Sequence, residues 1–174
     1  DEVEPAITSG GTANAIAENS GANQVIYTAT STDAGDVATG LTTYSLKPST
    51  GDVASLSINS STGAVSLTGN PNFETKPSYA FTLVATDAAG NASEQAVSLG
   101  INNLDEVEPA ITSGGTANAI AENSGANQVI YTATSTDAGD VATGLTTYSL
   151  KANTGDIASL SIDSATGAVS LTGN

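Results

Sequence analysis

The acidic side chains of this chain are bunched at a few places: Asp1, Glu2 and Glu4; Glu18; Asp33 and Asp36; Glu74; Asp87; and Asp105, Glu106 and Glu108, with Glu122, Asp137 and Asp140 further on. Against 18 acidic residues stand 3 cations, Lys47, Lys76 and Lys151, for a formal net charge of -15. Like charges gathered at one place repel unless a cation sits among them. Carboxylates, Asn side chains and backbone carbonyls together suit a hard divalent ion. Calcium takes about six to eight such oxygens in irregular geometry, whereas magnesium demands a strict octahedron. There is no His or Cys to attract zinc or copper.

The same composition removes other chemistry. Without His a serine triad has no base, and without Cys there are no disulfides, thiolate zinc sites or sulfur nucleophiles. Paired carboxylates for glycoside cleavage would lack an aromatic platform. Gly10-Gly11 is followed by neither Lys nor helix, so it is not a phosphate loop. The chain is therefore expected to be no enzyme and to have no catalytic residues. Nucleic acid is excluded because no basic stripe could neutralise phosphates, and anionic membrane surfaces for the same reason. No apolar stretch reaches the ~20 residues of a membrane span, and no signal peptide opens the chain, which predicts a start inside a larger protein.

Positioning these groups falls to a repeat. Asp1-Glu2-Val3-Glu4-Pro5 returns at Asp105, a period of 104 residues. Residues 105–174 copy 1–70 with five changes: Pro48 to Ala152, Ser49 to Asn153, Val53 to Ile157, Asn59 to Asp163 and Ser61 to Ala165. That period suits one domain per repeat. Inside it, apolar and polar residues alternate as in half-buried strands, most clearly at Tyr79, Phe81, Leu83 and Ala85. Shorter runs are Val25-Tyr27-Ala29, Tyr44-Leu46, Leu56-Ile58, Val65-Leu67, Val97-Leu99-Ile101, and Ala6-Ile7-Thr8 continuing at Ala15-Ile16-Ala17. Gly, Asn and Ser clusters separate them, and no segment keeps helical periodicity. This predicts an all-β chain of tandem seven-stranded Greek-key β-sandwiches, immunoglobulin-like but without a Cys-Trp-Cys core.

In chain order, Ala17-Glu18-Asn19, Asp33-Ala34-Gly35-Asp36, Tyr44-Ser45-Leu46, Asn72-Phe73-Glu74, Ala85-Thr86-Asp87 and Asn103-Leu104-Asp105-Glu106 resemble the Pro-Glu-Asn, Asp-x-Asp, Tyr-Ser-Leu, Leu-Asp-x-Glu, Ala-x-Asp and Asp-x-Asn-Asp motifs of cadherin repeats. The resemblance covers the whole unit, and its specificity lies in the ordered set. The near-identical copies are also similar to the extender regions of bacterial repeats-in-toxin (RTX) adhesins. It implies calcium between consecutive domains. Glu18, Asn72 and Glu74 would come from the lower end of domain one. Asn103, Asp105, Glu106 and the Val107 carbonyl would come from the linker, and Asp137 with Asp140 from the top of domain two. Asp1, Glu2, Asp33, Asp36 and Asp87 would serve the junction above domain one. Asn72 and Asn103 stand where the family has Asp, and Asp33 to Asp36 is one residue longer than Asp-x-Asp.

The resemblance implies a structural extender (spacer) on a bacterial cell surface: extracellular, calcium-binding, with neighbouring identical repeats as partners and the distal ligand bound by other domains. The alternative is a ligand-binding or homophilic adhesive sandwich recognising carbohydrate or protein. That reading needs exposed aromatics, yet the chain has Tyr27, Tyr44, Phe73, Tyr79 and Phe81 with the copies Tyr131 and Tyr148, and most of these belong to the alternating core pattern. The expected domains are 1–104, complete, and 105–174, without a counterpart of 71–104. Three explanations of that asymmetry are open at this stage: cleavage, strands supplied by another molecule, or a unit phased as 71–174.

Overall fold

The structure, a computed structural model, describes residues 2–33, 41–138 and 146–174. It divides into two compact units, Asp1–Asn103 and Leu104–Asn174.

The first unit is built from β1 (Ala6–Ile7), β2 (Ile16–Ala17), β3 (Gln24–Thr28), β4 (Ser31–Thr32), β5 (Thr43–Leu46), β6 (Leu56–Ile58), β7 (Ala64–Leu67), β8 (Ser78–Thr86) and β9 (Ala92–Asn102). A 3-10 turn, Val53–Ser55, leads into β6. One sheet runs β2-β9-β8-β5, a second β3-β7-β6, and β1 pairs with β4. The β8–β9 hairpin is the backbone of the unit, with nine paired positions from Ser78↔Gly100 to Thr86↔Ala92.

Alternation decides which faces meet. Tyr79, Phe81 and Leu83 of β8 and Val97, Leu99 and Ile101 of β9 are buried in one cluster with Ile26, Tyr27, Leu56, Val65 and Leu67 of the second sheet, and Ala85 of β8 is buried too. Phe81 meets Tyr27 edge-on, with ring centroids 5.9 Å apart. The expected inward run at Val25, Tyr27 and Ala29 is corrected in one place. Val25 is 59% exposed while Ile26 and Tyr27 are both buried, because the register of β3 on β7 shifts between Val25 and Tyr27. A bulge adds a residue to one strand and flips what precedes it to the other face.

The second unit contains β10 (Ala110–Ile111), β11 (Val129–Thr132), β12 (Ser135–Thr136), β13 (Leu160–Ile162) and β14 (Ala168–Leu171). β11-β14-β13 form one sheet, and β10 pairs with β12. The pairings repeat those of β3-β7-β6 and β1-β4, bulge included. Residues 147–150, the copy of β5, carry no strand; in the first unit β5 is paired by β8. The chain is thus all-β. No helix among the described residues is long and apolar enough to cross a membrane, a statement that does not bear on strand-built crossings.

Candidate metal centre

One end of the first unit is assembled where β2 and β9 finish together. They run parallel, with Ile16 opposite Ile101 and Ala17 opposite Asn102, so Glu18 and Asn103 leave the sheet as neighbours. Glu18 N–H donates to the Asn102 carbonyl at 3.1 Å. Its side chain is only 1% exposed, and Oε2 accepts a hydrogen bond from Phe73 N–H at 2.8 Å.

Phe73 is held there by a turn. Pro71 is fully buried and its carbonyl accepts from Asn19 N–H at 2.9 Å. Asn72 Oδ1 accepts from Thr75 N–H at 2.7 Å, and the Asn72 carbonyl from Lys76 N–H at 2.9 Å. Glu74, exposed, brings a carboxylate oxygen within 4.8 Å of one on Glu18. Asn103 Oδ1 is buried and has no hydrogen-bond partner. A buried carbonyl oxygen without a donor is costly in a fold unless something positive satisfies it. Side-chain oxygens from Glu18, Glu74 and Asn103, with no nitrogen or sulfur donor among them, form the donor set of a hard cation, so these residues fit calcium.

The opposite end of the first unit collects a second group. β1 pairs with β4, which places the chain before Pro5 beside Asp33, just past Thr32. Ser93 Oγ donates to the Pro5 carbonyl, and Ser93 lies opposite Ala85, two residues before Asp87. Glu2 is exposed and Asp33 half-buried. Asp87 is 7% exposed and already serves the β8–β9 turn: Oδ1 accepts from Gly90 N–H at 2.6 Å and Asn91 N–H at 2.8 Å, and Oδ2 from Asn91 Nδ2 at 2.8 Å. Burial pushes the Asp87 carboxyl up, but the hydrogen bonds from Asn91, Gly90 and Ala89 outweigh it and hold it below the ordinary carboxylate value. Asp1, Asp36 and Asp140 lie outside the described residues.

In the second unit Asp105, Glu106 and Val107 are exposed. Asp137, the copy of Asp33, has a buried Oδ1 without a hydrogen-bond partner. Glu122, the copy of Glu18, is exposed.

Asp52 stands outside the acidic groups singled out in the sequence. Its Oδ2 accepts from Ala80 N–H at 2.8 Å and its Oδ1 pairs with Lys76 Nζ at 2.8 Å, tying the Val53–Ser55 turn to β8. Burial raises the Asp52 carboxyl, and the Lys76 and Ala80 bonds outweigh it, so it too lies below the ordinary value. That Lys76 is one of only three cations was the available signal.

No protein-family model matches the chain, and no curated protein matches it. Solved structures do. Mouse cadherin-23 EC22-24 superposes with a TM-score of 0.67 at 23% identity, covering 98% of this chain and 55% of that one. Human protocadherin-24 EC1-2 gives 0.68 at 16%, covering 99% and 78%. Drosophila N-cadherin EC1-4 gives 0.63 at 15%, covering 98% and 41%. The chain spans about half the length of the cadherin-23 chain it matches. At these identities the likeness is one of fold, and the fold is cadherin-like.

Proposed function

We propose that this chain is a structural extender module of a bacterial cell-surface adhesin, made of cadherin-like repeats phased as 1–104 and 105–174, with calcium held at the linkers between repeats. The observation that carries the reading is the partnerless, buried Oδ1 of Asn103. It stands beside a buried Glu18 and immediately ahead of the acidic run Asp105, Glu106 and Glu108.

Glu18 and Asn103 sit on strand ends, Glu18 is braced by Phe73 N–H, and Glu74 follows a turn closed by Asn72. These groups therefore keep their oxygens in place before any ion arrives. Asp105, Glu106 and the Val107 carbonyl follow Asn103 directly in the chain and Asp137 belongs to the next repeat, so donors of two repeats are expected to complete the shell. Bound calcium supplies the positive charge that turns carboxylate repulsion into attraction. Without it the linker carboxylates repel and the joint hinges, since Pro109 restricts its own φ but cannot set an angle between domains. Extracellular calcium modules work at roughly 10⁻⁴–10⁻³ M, a level found outside cells. The repeats would thus be compliant during export and stiff outside, holding apart a cell and whatever other domains bind.

Calorimetry and small-angle scattering on two adjoining intact repeats test this. A heat of binding at millimolar calcium and a longer maximum dimension than in chelator are expected. Equal scattering curves and no heat would overturn it.

A further inference from the structure

Glu74 reaches the metal centre from a short turn, and a turn holds a carboxylate only as firmly as it is itself held. Pro71 anchors one end, its carbonyl accepting from Asn19 N–H at 2.9 Å, and Pro77 the other, its carbonyl accepting from Ile101 N–H at 2.9 Å. Between them the turn closes on Asn72, whose Oδ1 accepts from Thr75 N–H and whose carbonyl accepts from Lys76 N–H. Phe73 N–H, which braces Glu18, and the Glu74 carboxylate lie in the middle of that span.

The turn ends on Lys76, and that side chain is fixed in its own right. Nζ pairs with Asp52 Oδ1 at 2.8 Å and lies 5.3 Å from the centre of the buried Tyr79 ring. Asp52 is in turn tied twice to β8: its N–H donates to the Ala80 carbonyl at 2.6 Å, and its Oδ2 accepts from Ala80 N–H at 2.8 Å. Lys76 therefore joins the turn to the central hairpin of the core. Residues 1–104 hold only two cations, Lys47 and Lys76, and one of them follows a metal-facing carboxylate by two residues. On charge alone that place is unfavourable, because an ammonium repels a divalent ion. The charge helps there only through what it holds in position.

We propose that Lys76, locked on Asp52, is a positioning residue for the calcium site. The ion pair keeps the 72–76 turn, and with it Glu74 and Phe73 N–H, where they meet Glu18 and Asn103. Partners behind a metal ligand orient it and so set affinity without touching the ion. The inference rests on the calcium reading proposed above and adds a residue to it.

Calcium titration of the full chain, followed by NMR at the Glu74 and Asn103 amides, tests it in Lys76→Met, Lys76→Arg and Asp52→Asn. Charge alone predicts opposite signs: losing the Lys76 cation would tighten calcium, and losing the Asp52 anion would weaken it. The latch predicts that both Lys76→Met and Asp52→Asn bind about fivefold to tenfold more weakly. Lys76→Arg, which keeps the ion pair and the ring contact, should stay within about twofold of the original chain. In chelator, the Phe73 and Thr75 amides of Lys76→Met should exchange about fivefold faster while those of Leu83 and Leu99 stay unchanged, which separates a loosened turn from a loosened core. Calcium binding by Lys76→Met as tight as or tighter than by the original chain, unchanged Phe73 exchange, or an equal loss of protection at Leu83 and Leu99 would overturn the latch alone. No calcium-dependent shift at Glu74 and Asn103 in the original chain would overturn the calcium reading and the latch together.

Discussion

Glu18→Gln separates the cost of a buried carboxylate from its use. Glu18 is 1% exposed and its oxygen accepts from Phe73 N–H at 2.8 Å, a bond that Gln can also accept. The substitution therefore keeps shape and hydrogen bond and removes only charge. In chelator, a buried carboxylate carries a desolvation cost on the order of 1–3 kcal/mol, so the variant should make the first unit more stable by up to about that amount. With about 10 mM calcium and a dissociation constant of roughly 10⁻⁴–10⁻³ M, binding stabilises the original chain by about 1.4–2.7 kcal/mol. The variant should lose most of that increment, so the advantage it holds in chelator shrinks or reverses. Urea denaturation monitored at the Leu83 and Leu99 amides, with and without calcium, measures both quantities. Glu122→Gln, at the exposed copy, should change nothing in chelator. A Glu18→Gln chain that is destabilised in chelator and still gains the full calcium increment would refute the reasoning.

Gly51→Ala and Gly155→Ala should differ sharply although both sit at φ near +50°. Both carry a left-handed strain of about 1–2 kcal/mol. Only Gly51 adds the clash with Ala80, another ~1–3 kcal/mol by overpacking, seen as a lower urea midpoint for the first unit. Phe81→Ala should cost about 3–5 kcal/mol, enough to unfold most of the first unit in a thermal melt, because it empties the centre of the core and removes the edge contact to Tyr27. Asp52, Asp87 and Asp163 are held below the ordinary carboxylate value, Asp163 by the backbone N–H groups of Thr166 and Ala165. A carboxyl lowered by folding contributes stability that is full above its unfolded value of about 3.9 and is lost as pH falls through the lower folded value. Acid titration should show stability declining below about pH 4, and Asp87→Asn should flatten that decline.

Much of the architecture is local information. Strict alternation over Tyr79, Phe81, Leu83 and Ala85 has one solution, a strand with one face in the core, and the repeat carries the β1-β4 and β3-β7 pairings into the second unit. Oxygen-only chemistry is equally local, since composition alone removes His and Cys. The bulge that turned Val25 outward was not legible, because an extra residue is defined only against a partner strand. Nor was the difference between Glu18 and Glu122, identical in sequence context but buried in one unit and exposed in the other. Glu18 is enclosed by Phe73 and the end of β9, distant in sequence and absent beside its copy among the described residues. The same holds for Gly51 and Gly155. A residue's type is written in the chain, but its burial, its partners and its clearances belong to whatever packs against it.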